Sequence, residues 1–213
     1  HGWVFSYFLV YMPWFLYLEK HVTKNYHVIH SAIDDEIPFI EYFIVPYLLW
    51  FVFIAAVMLY FFFTDVEGFY RLAKLMFAGM TIFLIVSTLV PNGLNIRPYA
   101  FERDNIFVDM VKLLYRADTP TNVMPSIHVY NSLAACIAIS QSRALQKHRA
   151  VCTGAYALAA LIIMATMFLK QHSVIDVASA AVMAHMLYQF FYVPDGRRYA
   201  ERRLSQTAML QNK

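Results

Sequence analysis

The chain has 213 residues, of which 60% are hydrophobic, 17% aromatic and only 15% charged, with a formal net charge of +3. A soluble domain carries about 25% charged residues, so composition excludes an ordinary soluble enzyme and points to an integral membrane protein with the lipid bilayer as its surroundings. No nucleic-acid partner is expected. The two cysteines, Cys136 and Cys152, are too few for a disulfide framework and lie outside any metal-type spacing, so both read as packing residues.

Six apolar stretches follow one another at about 2–18, 37–64, 72–90, 125–142, 151–169 and 174–193. Most approach or exceed the roughly 20 residues needed to span hydrocarbon. The first is short, contains Pro13, and lacks the basic lead and small-residue cleavage site of a signal peptide, so it reads as retained. The connection after it holds His21, His27, His30, Asp34, Asp35 and Glu36 but no tight ligand spacing, and reads as a solvated loop or a cap against lipid headgroups rather than a metal site. The connection at 91–124 is too long for a turn. Its segment 107–115 repeats apolar residues at helical spacing (Val108, Val111, Leu114, Tyr115), which predicts a short interfacial helix. His185, in the last stretch, is expected to hydrogen-bond between helices. The tail at 195–213 carries Arg197, Arg198, Arg202 and Arg203, which suit anionic headgroups of the cytoplasmic leaflet. The expected fold is all-α, a single six-transmembrane-helix domain over 1–213.

Lys and Arg set the orientation. Ten fall on one side: Arg71, Lys74, Arg143, Lys147, Arg149 and the five in the tail. Seven fall on the other, diluted there by Glu19, Asp34, Asp35, Glu36, Glu102, Asp104, Asp109 and Asp118. Both termini are therefore expected in the cytoplasm, with the 91–124 connection and the short connection around His172 outside.

Two polar motifs then share the outer face. Ionisable side chains at a membrane helix cost of order 2.5–3.5 kcal/mol each, so they default to a functional reading. His172 and Asp176 are four apart; on a helix they share a face, and Asp176 can accept the Nδ1–H of His172, leaving Nε2 as a nucleophile. In Pro125-Ser126-Ile127-His128 the proline suits a first helical turn, and the backbone N–H groups there favour an anion. Ser126 adds a hydroxyl donor, and His128 is placed to serve as general acid and base. Arg97, followed by Pro98, offers a guanidinium to two phosphoryl oxygens. Lys170, two residues before His172, can neutralise the same charge. Taken singly, these residues read as readily as a helix cap, an interfacial histidine, a solvated arginine and a snorkelling lysine.

Order and spacing together resemble the type 2 phosphatidic acid phosphatase family, whose core also occurs in vanadium haloperoxidases and whose motifs read roughly K-x6-R-P, P-S-G-H and S-R-x5-H-x3-D. Arg97-Pro98 matches the end of the first, Pro125-Ser126-Ile127-His128 the second with Ile127 in place of Gly, and His172-x3-Asp176 the third. The first-motif lysine falls on Val90 and the S-R pair on Ala165-Thr166, so two family cations are missing and Lys170 is the available substitute. These departures resemble the branch holding inositol phosphorylceramide synthase-like enzymes and bacterial members. The resemblance implies His172 as nucleophile, Asp176 as its orienting partner, His128 as acid/base, and Arg97 and Ser126 on the phosphate; Ile127 of the second motif and the substitute cation Lys170 are expected beside them. It also implies a membrane lipid phosphate as substrate, with no metal or other cofactor. The acceptor is left open between water and a lipid alcohol. A non-enzymic transporter or channel would instead show broken or polar helices at the midplane, whereas here the polar residues gather near one face.

Overall fold

A computed structural model describes residues 1–193; the basic tail at 195–213 lies outside the described residues. The described chain is all-α apart from one two-residue strand pair. A 3₁₀ turn at Gly2–Tyr7 leads into α1 (Phe8–His21), followed by β1 (His27–Val28), α2 (Ala32–Glu36) and a 3₁₀ turn at Glu41–Phe43. Then come α3 (Ile44–Thr64), α4 (Val66–Leu89), β2 (Asn92–Gly93), α5 (Ile106–Ala117), α6 (Ile127–Gln141), α7 (Arg149–Phe168) and α8 (Val174–Phe191).

Among the described residues four helical segments are long and apolar enough to cross a membrane: Glu41–Thr64, Val66–Leu89, Arg149–Phe168 and Val174–Phe191. The other two expected spans are shorter. α1 has 14 residues with Pro13 inside it, and α6 has 15. At 1.5 Å per residue α6 is roughly 22 Å long, less than the about 30 Å of a hydrocarbon core. Its placement explains its composition. α6 packs against α3, α4, α7 and α8, and Val129, Tyr130, Asn131, Ser132, Ala134, Ala135, Ala138 and Ile139 are all buried. A helix enclosed by helices needs small side chains for close approach more than apolar bulk toward lipid.

Helix ends account for several boundaries that the hydropathy pattern misplaces. The connection expected between the second and third stretches shrinks to Asp65, which ends α3 and caps α4 by accepting from Gly68 N at 2.9 Å. Arg71 and Lys74 therefore lie on α4 itself. Residues before Glu41 precede α3 as loop. α5 is the expected amphipathic helix, extended at both ends and capped by Asn105, which accepts from Val108 N at 3.0 Å. It sits on the start of α3 and the end of α7 through Val111, Ile44, Tyr47, Ala165 and Leu169.

Two loops at one end of the bundle are tied together. β1 pairs with β2 in parallel, His27 with Asn92 and Val28 with Gly93. Asn92, fully buried, accepts from Val123 N and Met124 N through Oδ1, each at 2.9 Å. One asparagine thus holds the backbone that enters Pro125-Ser126-Ile127-His128.

Candidate active site

The N-termini of α6 and α8, the C-terminus of α7 and the start of α3 meet at one end of the bundle, and the expected site residues other than the Lys170 ammonium come together there. Ser126 is the N-cap of α6, fully buried, its Oγ accepting from Val129 N at 3.4 Å. That bond uses an oxygen lone pair and leaves the hydroxyl hydrogen for another acceptor. Ile127 and His128 are the first two helical residues, so their amide hydrogens have no carbonyl one turn back within the helix. A backbone donor needs no particular side chain, so Ile127 does not remove these amides from the donor set. The His128 ring is held against Tyr47 and Trp50 of α3, with ring centres 4.7 and 4.4 Å away, and faces His172 at 5.8 Å.

His172 precedes α8 and is only 8% exposed; Asp176, on its first turn, is fully buried. The Nδ1 of His172 lies 3.3 Å from Asp176 Oδ2. The same oxygen accepts from Ser173 N at 2.9 Å, while Ser173 Oγ accepts from Ile175 N at 3.1 Å, a capping box. The carboxylate is therefore fixed by the helix start before it orients the imidazole. The backbones of the two motifs also touch, Ser126 N donating to Asp176 O at 3.4 Å.

Arg97 is reached through the 91–124 loop. Its Nη1 donates to Asp118 O at 2.9 Å and Tyr115 O at 3.5 Å, its Nη2 donates to Gln171 Oε1, and its guanidinium stacks on the Tyr115 ring at 4.5 Å. Burial pulls the Arg97 pKa below its usual value, against the nearby Asp118 charge. Two donors at this junction, Arg97 Nε and Gln171 Nε2, are buried without a partner among the described residues, as is the acceptor Asp176 Oδ1. Because Gln171 Oε1 already accepts from Arg97, its amide nitrogen is the end left over. Unsatisfied buried donors beside a guanidinium are what an anion would complete.

Lys170 stands elsewhere. Its Nζ donates to Asp34 O at 2.6 Å and Ile37 O at 2.5 Å, carbonyls of the segment between α1 and α3. In this arrangement it braces that loop, a different task from the phosphate contact expected of it. Burial lowers its pKa, opposed by Asp34 and Asp35. Asp34 faces inward, with Oδ2 accepting from Ser173 Oγ at 2.6 Å and Oδ1 from Val174 N at 2.9 Å. Of the loop's other polar groups, His30 pairs with Asp35 at 2.9 Å in solvent and His21 bonds Tyr17 O at 2.8 Å. Among the described residues no group of three or more His, Cys, Asp or Glu is gathered as for a metal ion. His185 is exposed and makes no side-chain hydrogen bond among the described residues, contrary to expectation.

Sequence reasoning missed four participants. Asp118, half-buried, accepts from Tyr47 Oη at 3.4 Å; burial raises its pKa, while Arg97 and His172 pull it down, so it lies within electrostatic reach of both. Tyr47, Trp50 and Gln171 complete the wall. Gln171 stood inside the motif next to His172, but the others carried no signal of spacing. Comparison with family models, with curated proteins and with solved structures finds no match to this chain.

Proposed function

We propose that this chain is a membrane enzyme that cleaves a lipid phosphate ester or pyrophosphate through a phosphohistidine on His172. It would be a member of the type 2 phosphatidic acid phosphatase superfamily, with six membrane helices, both termini in the cytoplasm and the site at the outer face. The observation that carries this reading is the buried His172–Asp176 pair, 3.3 Å apart, facing the His128 ring across 5.8 Å. A phosphoryl group between the two imidazoles would have a nucleophile on one side and a proton donor on the other.

In the first step His172 Nε2 forms a bond to phosphorus and the ester P–O bond breaks. Protonated His128 gives its proton to the leaving oxygen. Asp176, accepting Nδ1–H, stabilises the imidazolium-like adduct as the carboxylate of a triad does. In the second step neutral His128 takes a proton from water, the hydroxide attacks phosphorus, and the P–N bond breaks to release phosphate and regenerate His172. Ser126 Oγ–H, the first amides of α6 and the unpartnered edge of Arg97 and Gln171 supply donors for the phosphoryl oxygens. The aromatic slot around His128 supports a second reading, transfer to a lipid alcohol, because Tyr47 and Trp50 make that side poor in water.

The test is turnover of a panel of lipid phosphates and pyrophosphates in detergent with EDTA present. Phosphate release marks hydrolysis, and a new phospholipid marks transfer. Activity should survive EDTA and be inhibited by vanadate. His172→Ala should lower turnover by roughly 10³-fold or more, and Asp176→Asn nearly as much. Retention of more than a few per cent by His172→Ala overturns the assignment.

A further inference from the structure

The acidic first outer loop has no role in the chemistry above, yet one of its carboxylates is among the most enclosed in the molecule. Asp34 is 2% exposed, in a five-residue helix on an otherwise exposed loop. Its two oxygens take three protein donors: Ser31 N at 2.8 Å and Ser173 Oγ at 2.6 Å on Oδ2, and Val174 N at 2.9 Å on Oδ1. One donor is its own N-cap. The other two belong to the segment immediately after His172. A carboxylate that only capped α2 would face solvent, as Asp35 does at 66% side-chain exposure.

We propose that Asp34 is a positioning residue for the nucleophile: it clamps Ser173 and the start of α8 so that Asp176 meets His172 Nδ1. The chain of contacts is short. Asp34 Oδ2 takes the Ser173 hydroxyl hydrogen, which turns the Ser173 Oγ lone pairs onto Ile175 N and fixes the first turn of α8. The Ser173 backbone N then donates to Asp176 Oδ2, the oxygen 3.3 Å from His172 Nδ1. Lys170 braces the clamp from the other side of His172, its Nζ donating to the Asp34 and Ile37 carbonyls. Residues 170–174 are thus held to the first loop at both ends, with His172 in the middle. Apart from the Ile175 N–Ser173 Oγ bond, each link is a hydrogen bond with a charged partner, the stronger kind, and loss of registry of about 1 Å at a reacting group costs roughly 10²-fold in rate.

This inference rests on His172 being the nucleophile, and the experiment separates the two. Asp34→Ala, Asp34→Asn, Ser173→Ala and the Asp34→Ala/Ser173→Ala double variant are prepared as full chains in detergent, with His172→Ala as reference. Two readouts are taken. The first is kcat and KM on the best lipid phosphate, per folded molecule. Asp34→Ala and Ser173→Ala should each lower kcat by roughly 10–10²-fold with KM little changed, and the double variant should be no worse than the poorer single one. Asp34→Asn keeps an acceptor oxygen and should recover part of the loss. The second readout needs no substrate: the rate at which diethylpyrocarbonate modifies His172, followed by peptide mass spectrometry. Asp34→Ala should raise it several-fold, as the ring loosens. If Asp34→Ala does not fold, Asp34→Asn and Ser173→Ala, which keep most of the volume, decide the matter by both readouts. An unchanged kcat per folded molecule, additive losses in the double variant, or an unchanged modification rate overturns the proposal. If the wild-type chain turns over no lipid phosphate, the enzymatic reading fails and the modification rate still decides whether Asp34 positions His172.

Discussion

At the scale of single residues, Lys170 shows most plainly how local geometry and partner choice divide the work. α7 ends in a Schellman motif: Gln171 N donates to Thr166 O and Lys170 N to Met167 O, both at 2.9 Å. Three more donors reach these last carbonyls: His172 N to Thr166 O at 3.0 Å, Ile40 N to Phe168 O at 3.1 Å, and Tyr115 Oη to Leu169 O at 2.7 Å. Such a motif needs a left-handed residue at the position occupied by Lys170, whose φ is 53°. Glycine is the usual occupant; for an L residue the conformation costs about 1–2 kcal/mol. The strain sits two residues before His172, the proposed nucleophile, and tolerated strain tends to collect at functional sites. Lys170→Gly and Lys170→Ala lose the same two Nζ bonds, but only alanine keeps the backbone penalty. Alanine should therefore be the less stable of the two by about 1 kcal/mol, the reverse of the helix-interior order. Thermal unfolding in detergent checks this, and alanine melting at or above glycine would remove the strain argument.

Among the elements, α6 is the one on which the candidate site depends, since it carries His128 and the Ser126 cap and packs against four other helices. Its contact with α4 is set by a notch. A Cβ added at Gly79 would lie 2.1 Å from Cζ of Tyr130, whose hydroxyl donates to Leu75 O at 2.5 Å. Tyr130 is fully buried and cannot swing out to solvent. Gly79→Ala should therefore part the two helices and destabilise the bundle by roughly 1–3 kcal/mol, the usual cost of overpacking. It should also lower turnover, because the first turn of α6 moves with the helix. In a Tyr130→Ala background the same substitution should cost much less, and a double-mutant cycle on unfolding midpoints measures the difference. Equal costs in both backgrounds would show that the contact does not set helix spacing.

For the whole molecule, the two ends of the bundle differ in kind. Arg97, His128, His172 and Asp176 gather at one end, with Arg116 exposed at the finish of α5 nearby. At the far end of α6 lies the turn with exposed Lys147. The proposed orientation puts the first end outside. With Cys136 and Cys152 replaced by alanine, Arg116→Cys should react with a membrane-impermeant maleimide on intact cells, and Lys147→Cys only after permeabilisation. Labelling of both from the same side would refute a bundle that spans the membrane between them.

What the sequence determined was decided by local chemistry. Composition pointed to a helical membrane protein, because apolar stretches that enter a bilayer must satisfy their backbone internally, and four helices of the described chain have the length and apolarity to cross one. The amphipathic helix at 106–117 was legible because its periodicity is local. The His172–Asp176 pairing was legible from its spacing, but its cause differs from the expected shared helical face: α8 starts at Val174, and the Ser173 cap brings Asp176 to the imidazole. Span count was less legible: α1 and α6 had the hydropathy of spans but not their length, and enclosure of α6 depends on four other helices. The partners of the long polar side chains were not legible at all. Arg97 meets Gln171 across 74 positions, Lys170 meets Asp34 across 136, and Asp34 meets Ser173 across 139. Such side chains sit on loops or at helix ends and have reach enough for several partners. Only the way the loops fold over the bundle decides that Lys170 braces a loop and that Asp34, one acid among several in an exposed segment, lies buried against the start of α8.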